Sequence, residues 1–391
     1  MSRGIRDAVV VGGGVVGAAC ALSLARIGLD VALAEAREPS RWNPEQRDLR
    51  VYAFAPDNAA LLDALGAWKS VRDARAEPYR RMRVWDAAGG GELAIDADAL
   101  GRRELGWIVE HGLLVDRLWS ALPAAGVEVL CPAKVESLAQ DERGVRLGLD
   151  SGRSIEARIA VAADGGDSAL RSLAGIGVDA HDHAQRGVVA YVETALPHAA
   201  TAWQRFLPGG PLAFLPCGEG LSSIVWSLPN DEAARLLALD NSAFGDELTE
   251  AFEARLGAVR VVSKRAAFPL RRQLASSQCE GRVLLVGDAA HVVHPLAGQG
   301  VNLGLRDVAA LHDSIVGAQT RRLAWDSPHR LQRWARQRCS ENALSAHAFD
   351  AINRIYSSDE MLSTLLRGHA LGIAGRLPPI GRALWRHAAG T

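Results

Sequence analysis

The chain has 391 residues, 48% of them hydrophobic and 23% charged, enough to bury a large core; its length predicts about two to three domains. Its 44 basic residues are balanced by 45 acidic ones, which removes any global pull toward nucleic acid. Five scattered cysteines (Cys20, Cys131, Cys217, Cys279 and Cys339) form no C-x-x-C pair and no zinc or iron–sulfur spacing, so no metal site and a reducing, cytoplasmic setting are expected.

The amino terminus enters a strand almost at once, so no signal peptide is expected, and no apolar run is long enough to span a bilayer. Asp7 to Val11 reads as that strand, and Gly12, Gly14 and Gly17 supply G-x-G-x-x-G. Val15 to Ile27 is a helix of small residues, and Asp30 to Ala34 a second strand closed by Glu35. This order fits an adenine dinucleotide: glycines let the backbone approach a pyrophosphate, with Val16 in the first helical turn, and the acid bonds the adenosine ribose. NAD and FAD use the same physics, so this unit leaves the choice between them open.

Val127 to Leu130, Lys134 to Leu138, Val145 to Leu149 and Ser154 to Ala157 suggest a small β meander with turns at 141–144 and 150–152. Ile159 to Ala163 is another apolar strand, leading into ADGGDSALR at 163–171. Asp164 there either contacts a cofactor or caps the helix starting over 168–173, and Arg171 is a candidate holder of a carboxylate or diphosphate. Gly187 to Thr194, Trp203 to Leu207, Leu212 to Leu215 and Ser222 to Leu228 are short runs broken by Gly and Pro, as in an antiparallel sheet. Trp203, Phe206, Leu212, Phe214 and Trp226 are candidates for an apolar substrate pocket, although aromatics at alternating strand positions are more often plain core.

The richest segment is GRVLLVGDAAHVVHPLAGQGVNLGLRDVAAL, 281–311. A buried strand, Val283 to Val286, ends at Asp288, where an acceptor can grip a sugar alcohol such as a ribityl chain. Pro295, Gly298, Gln299 and Gly300 permit a tight loop, and the backbone of 296–301 is the candidate for electrostatic catalysis. The helix expected from Asn302 would aim its positive end, with Val301 and Asn302, at a bound ring. His291 and His294 flank the loop and are read as braces of the turn rather than as general bases. Arg330, Arg333, Arg336 and Arg338 read as a solvated helix face. From Arg354 onward, five arginines oppose only Asp359 and Glu360, beside an apolar stripe of Met361, Leu362, Leu365 and Leu366. That segment is a helix packed on the domain or a basic amphipathic contact with a membrane surface or partner.

G-x-G-x-x-G, ADG-x-x-S-x-x-R and GDAAH, in this order, make the chain similar to the group A flavin monooxygenases, the para-hydroxybenzoate hydroxylase group. HPLAGQGVNLGL (294–305), DLRVYAF (48–54), LLDALGAW (61–68), WQRFLPGGPLAFLP (203–216) and SSIVWSLP (222–229) resemble the branch that hydroxylates ubiquinone precursors. The resemblance implies FAD as cofactor, NAD(P)H as transient donor, and a flavin C4a-hydroperoxide that hydroxylates a lipid-soluble prenylated aromatic substrate. It also places Arg50 near the flavin and the substrate entrance. The family usually carries Asn where His111 stands, often Gln at Val115, and commonly Tyr at His183. No second strand–G-x-G-x-x-G–helix unit serves the nicotinamide, and GGGEL at 89–93 reads as a turn.

The expected fold is α/β: a discontinuous Rossmann-like FAD-binding domain (1–75, 101–180 and 273–340), a mainly antiparallel β-sheet substrate domain (76–100 and 181–272), and C-terminal helices (341–391). If the C-terminal segment is not simply packed on the FAD-binding domain, its expected contact is peripheral, with the inner face of a membrane or with a quinone-biosynthesis complex.

Overall fold

A computed structural model describes residues 4–87, 91–293 and 300–357, with residues 347–357 described by backbone only. Its first layer is a sheet in the order Cys279–Glu280, Val283–Leu285, Ser154–Ala162, Arg6–Val11, Val31–Ala34 and Glu128–Leu130, the last five strands mutually parallel. Val9, Val10, Val161, Leu33, Val283 and Leu284 are all buried, as continuous apolar strands covered on both faces require. On one face lie helices Val15–Arg26 and Gly300–Thr320, which pack together and share a core with Leu22, Leu24, Leu305, Leu311 and Ile315. Val135–Gln140 and Val145–Leu149 form the antiparallel meander beside Ser154–Ala162. The register pairs Val11 with Ala34 and with Ala162, and Ala162 with Leu285. Four carboxyl ends therefore finish level, and the residues that follow them share one rim.

The second layer is a nine-stranded sheet in the order His291–Val292, Ala266–Ala275, Val178–Thr194, Ser222–Pro229, Gly210–Pro216, Thr201–Leu207, Arg81–Asp86 and Glu92–Asp96, with Val259–Val261 also paired to Val178–Thr194. Every pairing is antiparallel except Thr201–Leu207 with Arg81–Asp86. The long strands Val178–Thr194 and Ala266–Ala275 run across the positions where the sequence suggested domain boundaries. A third sheet, Val51–Phe54, Gly106–Glu110 and Ala76–Tyr79, packs Tyr52, Phe54 and Val109 into the core of the first layer. Its Ala53, Tyr79 and Ile108 share a core with Tyr191, Phe206 and Leu215 of the large sheet. The opposite face of the large sheet is covered by helices Asn230–Ala238 and Asn241–Ala251, burying Leu212, Phe214, Ile224 and Trp226 against Leu236, Phe244 and Leu248. The final helix, Pro328–Ser357, touches Gly300–Thr320 along part of its length and strands Thr201–Leu207 and Gly210–Pro216 elsewhere.

Candidate functional site

The level strand ends open onto a cleft of ≈ 420 Å³. Its walls bring together Gly12, Gly14, Val16, Glu35, Arg50, Asp164, Asp288 and Val301 from the sequence-derived set, with Tyr52, His111 and Lys134 beside them. The three glycines of the first motif have different jobs. A Cβ on Gly12 (φ +102°) would strike the Ala163 carbonyl, and one on Gly17 the Gly12 carbonyl, so both are demanded by close backbone packing. Gly14 meets nothing within 4 Å and faces open space. It is also the N-cap of helix Val15–Arg26, which has no side-chain cap and no acid in its first turn. A helix start with free N–H groups, bare glycine and no competing carboxylate suits a diphosphate.

Glu35 accepts hydrogen bonds from Gly13 N–H at 2.5 Å and Arg37 N–H at 2.9 Å, which fix its carboxylate at the cleft wall. Trp119 Nε1–H donates to the Gly13 carbonyl at 2.6 Å from the other side. Asp288 differs: its half-buried carboxylate has no hydrogen bond or ion pair among the described residues and borders the cleft beside Val286. An acceptor left unmatched at a strand end is positioned for a polyol. Together these features fit the adenosine, diphosphate and ribityl portions of FAD.

Arg50 is exposed, with its guanidinium 5.4 Å from the centre of the Tyr52 ring. Asp48 holds this segment down: one carboxylate oxygen accepts Arg50 N–H at 2.9 Å, the other accepts Gly112 N–H at 2.9 Å, and its carbonyl accepts Tyr191 O–H at 2.9 Å. The D-x-R segment thereby ties the start of helix His111–Ala121 to the large sheet. His111 Nδ1 lies 2.9 Å from the Tyr52 hydroxyl, with the rings edge-on. Burial, helped by the Arg50 charge, pushes the imidazole down to about 4, so at neutral pH His111 is an uncharged wall of the cleft.

Asp164 borders the cleft, yet its two oxygens accept from Ser168 O–H at 2.5 Å and Leu170 N–H at 3.1 Å. It therefore caps the short helix Ala169–Leu173 together with Ser168, whose Oγ accepts Arg171 N–H at 3.0 Å. Arg171 is buried and makes no ion pair among the described residues. Its guanidinium donates to the carbonyls of Ala289 and Gly166, each at 2.8 Å, and so joins the second motif to the third.

Asn302 is fully buried and turned from the cleft. It accepts from Ala55 N–H and Asn58 Nδ2, and donates to the Ala53 carbonyl at 2.8 Å. His291 is also buried and bonds Asp307. Arg338, read as part of a solvated face, is 4% exposed and bonds the same carboxylate. Helix Gly300–Thr320 has no acid in its first turn, and Val301 brings that end to the cleft. Pro295, Gly298, Gln299 and His294 lie outside the described residues, as does the segment from 358.

The five pocket candidates do not share a face. Side chains alternate along a strand, so Trp203 and Phe206, three apart, point to opposite sides. Leu212, Phe214 and Trp226 are buried against the covering helices, with Trp203 half-buried at that cluster. Phe206 alone joins Tyr191 and Leu215 on the side facing the three-stranded sheet. The sequence reading missed Tyr191, Lys134 and Asp307. The first two gave no motif, and the partners of the third come from distant segments.

A family described as an FAD binding domain matches residues 6–348. The chain is 37% identical over 391 residues to ubiquinone hydroxylase UbiL of Rhodospirillum rubrum, covering 99% of this chain and 90% of that one. It is 36% identical to 3-demethoxyubiquinol 3-hydroxylase of Escherichia coli, covering 98% of each. Solved structures with the same fold include p-nitrophenol 4-monooxygenase PnpA of Pseudomonas putida (TM-score 0.77, 21% identity, 98% of both chains). Another is Klebsiella pneumoniae HpxO complexed with FAD and uric acid (TM-score 0.75, 20% identity, 98% of this chain and 96% of that one).

Proposed function

The chain belongs to the FAD binding domain family, and on that premise we propose that it is an FAD-dependent monooxygenase hydroxylating the ring of a polyprenylated phenol or quinol on the route to ubiquinone. NAD(P)H supplies the electrons and O2 the oxygen. The observation that carries this reading is near-full-length identity to two hydroxylases named for ubiquinone chemistry, joined to a cleft whose donors and acceptors match FAD.

Bound FAD supplies activated oxygen at its ring, and the protein does the rest. The N–H groups opening helix Val15–Arg26 receive the diphosphate, Glu35 the adenosine ribose, and Asp288 the ribityl hydroxyls. The start of helix Gly300–Thr320, with Val301, offsets negative charge on the pyrimidine edge of the ring. We assign the same duty to Pro295, Gly298 and Gln299. Arg50, exposed beside an uncharged Tyr52–His111 pair, remains available to an anionic or phenolic group at the entrance.

Substrate is assigned to the side of the large sheet that carries Tyr191, Phe206 and Leu215, where an apolar wall keeps water from the reacting centre. A prenylated ring partitions into lipid, so we assign transient membrane contact to the C-terminal segment. No described helix is long and apolar enough to cross a bilayer.

The test is deletion of the gene in its own host, with identification of the accumulated quinone precursor, and turnover of that compound by purified protein under labelled O2. One labelled oxygen atom in the product supports the reading. Reduction without label points to a flavin reductase, and an accumulated small aromatic acid to a different substrate class.

A further inference from the structure

Asp307 is fully buried, and its two oxygens serve different parts of the molecule. Oδ2 accepts from Gly287 N–H at 3.0 Å and lies 2.6 Å from His291 Nε2, so it holds the turn on either side of Asp288. Oδ1 accepts from Arg338 Nε at 2.8 Å and Asn342 Nδ2 at 2.9 Å, both on the final helix. Arg338 also donates to Asn342 Oδ1 at 2.9 Å, which orients that amide, and pairs with Glu341. Burial works to raise the carboxyl pKa, but His291, Arg338 and Asn342 hold it down at about 2, so Asp307 is ionised at neutral pH.

A carboxylate so deep in the protein keeps its orientation only while all its donors stay in place. Gly287 has φ +60°, and a Cβ there would sit 3.1 Å from Val16, so the turn packs closely on the first helix at the cleft. Rotation of Asp307 on loss of the Oδ1 partners would disturb the Oδ2 bonds to Gly287 N–H and His291 Nε2 that hold this turn. Asp288, the cleft acceptor with no hydrogen bond or ion pair among the described residues, sits between them.

We propose that Arg338 and Asn342 are positioning residues of the flavin site, acting through Asp307 to set the turn that presents Asp288. The final helix thereby reaches the cofactor cleft without touching it, while another part of it borders strands Thr201–Leu207 and Gly210–Pro216. The inference rests on the FAD reading and is independent of the substrate.

The experiment compares wild type, Arg338→Met, Arg338→Lys and Asn342→Leu for FAD dissociation constant, measured by reconstituting apoprotein, and for the midpoint potential of bound FAD. Loss of a buried charged hydrogen bond predicts about tenfold weaker FAD in Arg338→Met. The potential should shift, Asn342→Leu should move both readouts the same way by less, and Arg338→Lys should recover most of the loss. A folded Arg338→Met with a lower Tm but unchanged affinity and potential would make the residue a plain stabilising contact and overturn the proposal. If Arg338→Met does not fold, Asn342→Leu decides alone, and wild-type values there overturn it equally. A wild-type chain that takes up no FAD would sink the cofactor reading first.

Discussion

The guanidinium of Arg171 donates to the carbonyl of Ala289 at 2.8 Å, so the arginine ending the ADG segment is bonded inside the GDAAH segment. A second N–H reaches the Gly166 carbonyl at 2.8 Å. Arg171→Met keeps the length of the side chain but leaves both carbonyls without their donor. We expect a loss of about 3 kcal/mol in urea unfolding, with weaker FAD retention as the turn loosens. An unchanged unfolding midpoint would show that the two motifs do not lean on each other.

Asp288 should behave in the opposite way. Its carboxylate has no partner among the described residues, so Asp288→Ala costs the apoprotein nothing and should leave its Tm unchanged. Affinity for FAD should fall by at least about tenfold, the value of a single hydrogen bond to a charged acceptor. Full flavin occupancy after dialysis of the variant would refute the ribityl assignment.

The glycines of the first motif separate in the same manner. Gly14→Val points into open space, and the apoprotein should fold while the yellow colour is lost. Gly17→Ala meets backbone, so it should lower Tm even without cofactor. Equal effects of the two on apoprotein Tm would contradict the described packing.

His111 makes stability depend on pH. Its folded pKa, near 4, lies below the unfolded value of 6.5, so the unfolded chain binds the extra proton between these limits. Stability is therefore complete above about pH 6.5 and declines as pH falls toward 4, by an amount on the order of 2 kcal/mol. His111→Asn should flatten that part of the profile. Urea midpoints at pH 7.5 and 5 for both proteins test it; an equal drop in both removes His111 as the cause.

Phe214 and Phe206 distinguish the two faces of the large sheet. Phe214→Ala empties a fully buried position under the covering helices and should cost about 3–5 kcal/mol, with KM little changed. Phe206→Ala should raise KM for the prenylated substrate. The reverse pattern would return the pocket to the helix-covered side.

The glycine motif, the strand-end acids and the helix starts were legible because each is a local device: a turn, an acceptor and a row of N–H groups lie within a few residues of one another. The parallel layer was legible for the same reason, from apolar runs such as Val283 to Val286. What escaped were pairings between distant segments. Nothing near Arg338 in sequence shows that Asp307 lies beside it, so four arginines at nearly helical spacing looked like a wet surface. Asn302 looked like a cofactor contact because it follows the glycine loop, whereas its amide fastens Ala53 and Ala55. The aromatic candidates divide between the two faces by parity, since Phe206 is one residue out of phase with Trp203.

Val16 occupies a socket that exists only because two other positions lack a side chain. A Cβ at Gly304 would come within 2.7 Å of it, and one at Gly287 within 3.1 Å. Chimeras that graft the first motif of a homologue onto this chain must therefore import matching residues from the third, or the seam will jam. Breeding a wider-specificity variant by shuffling should succeed at crossovers that keep those three positions from one parent.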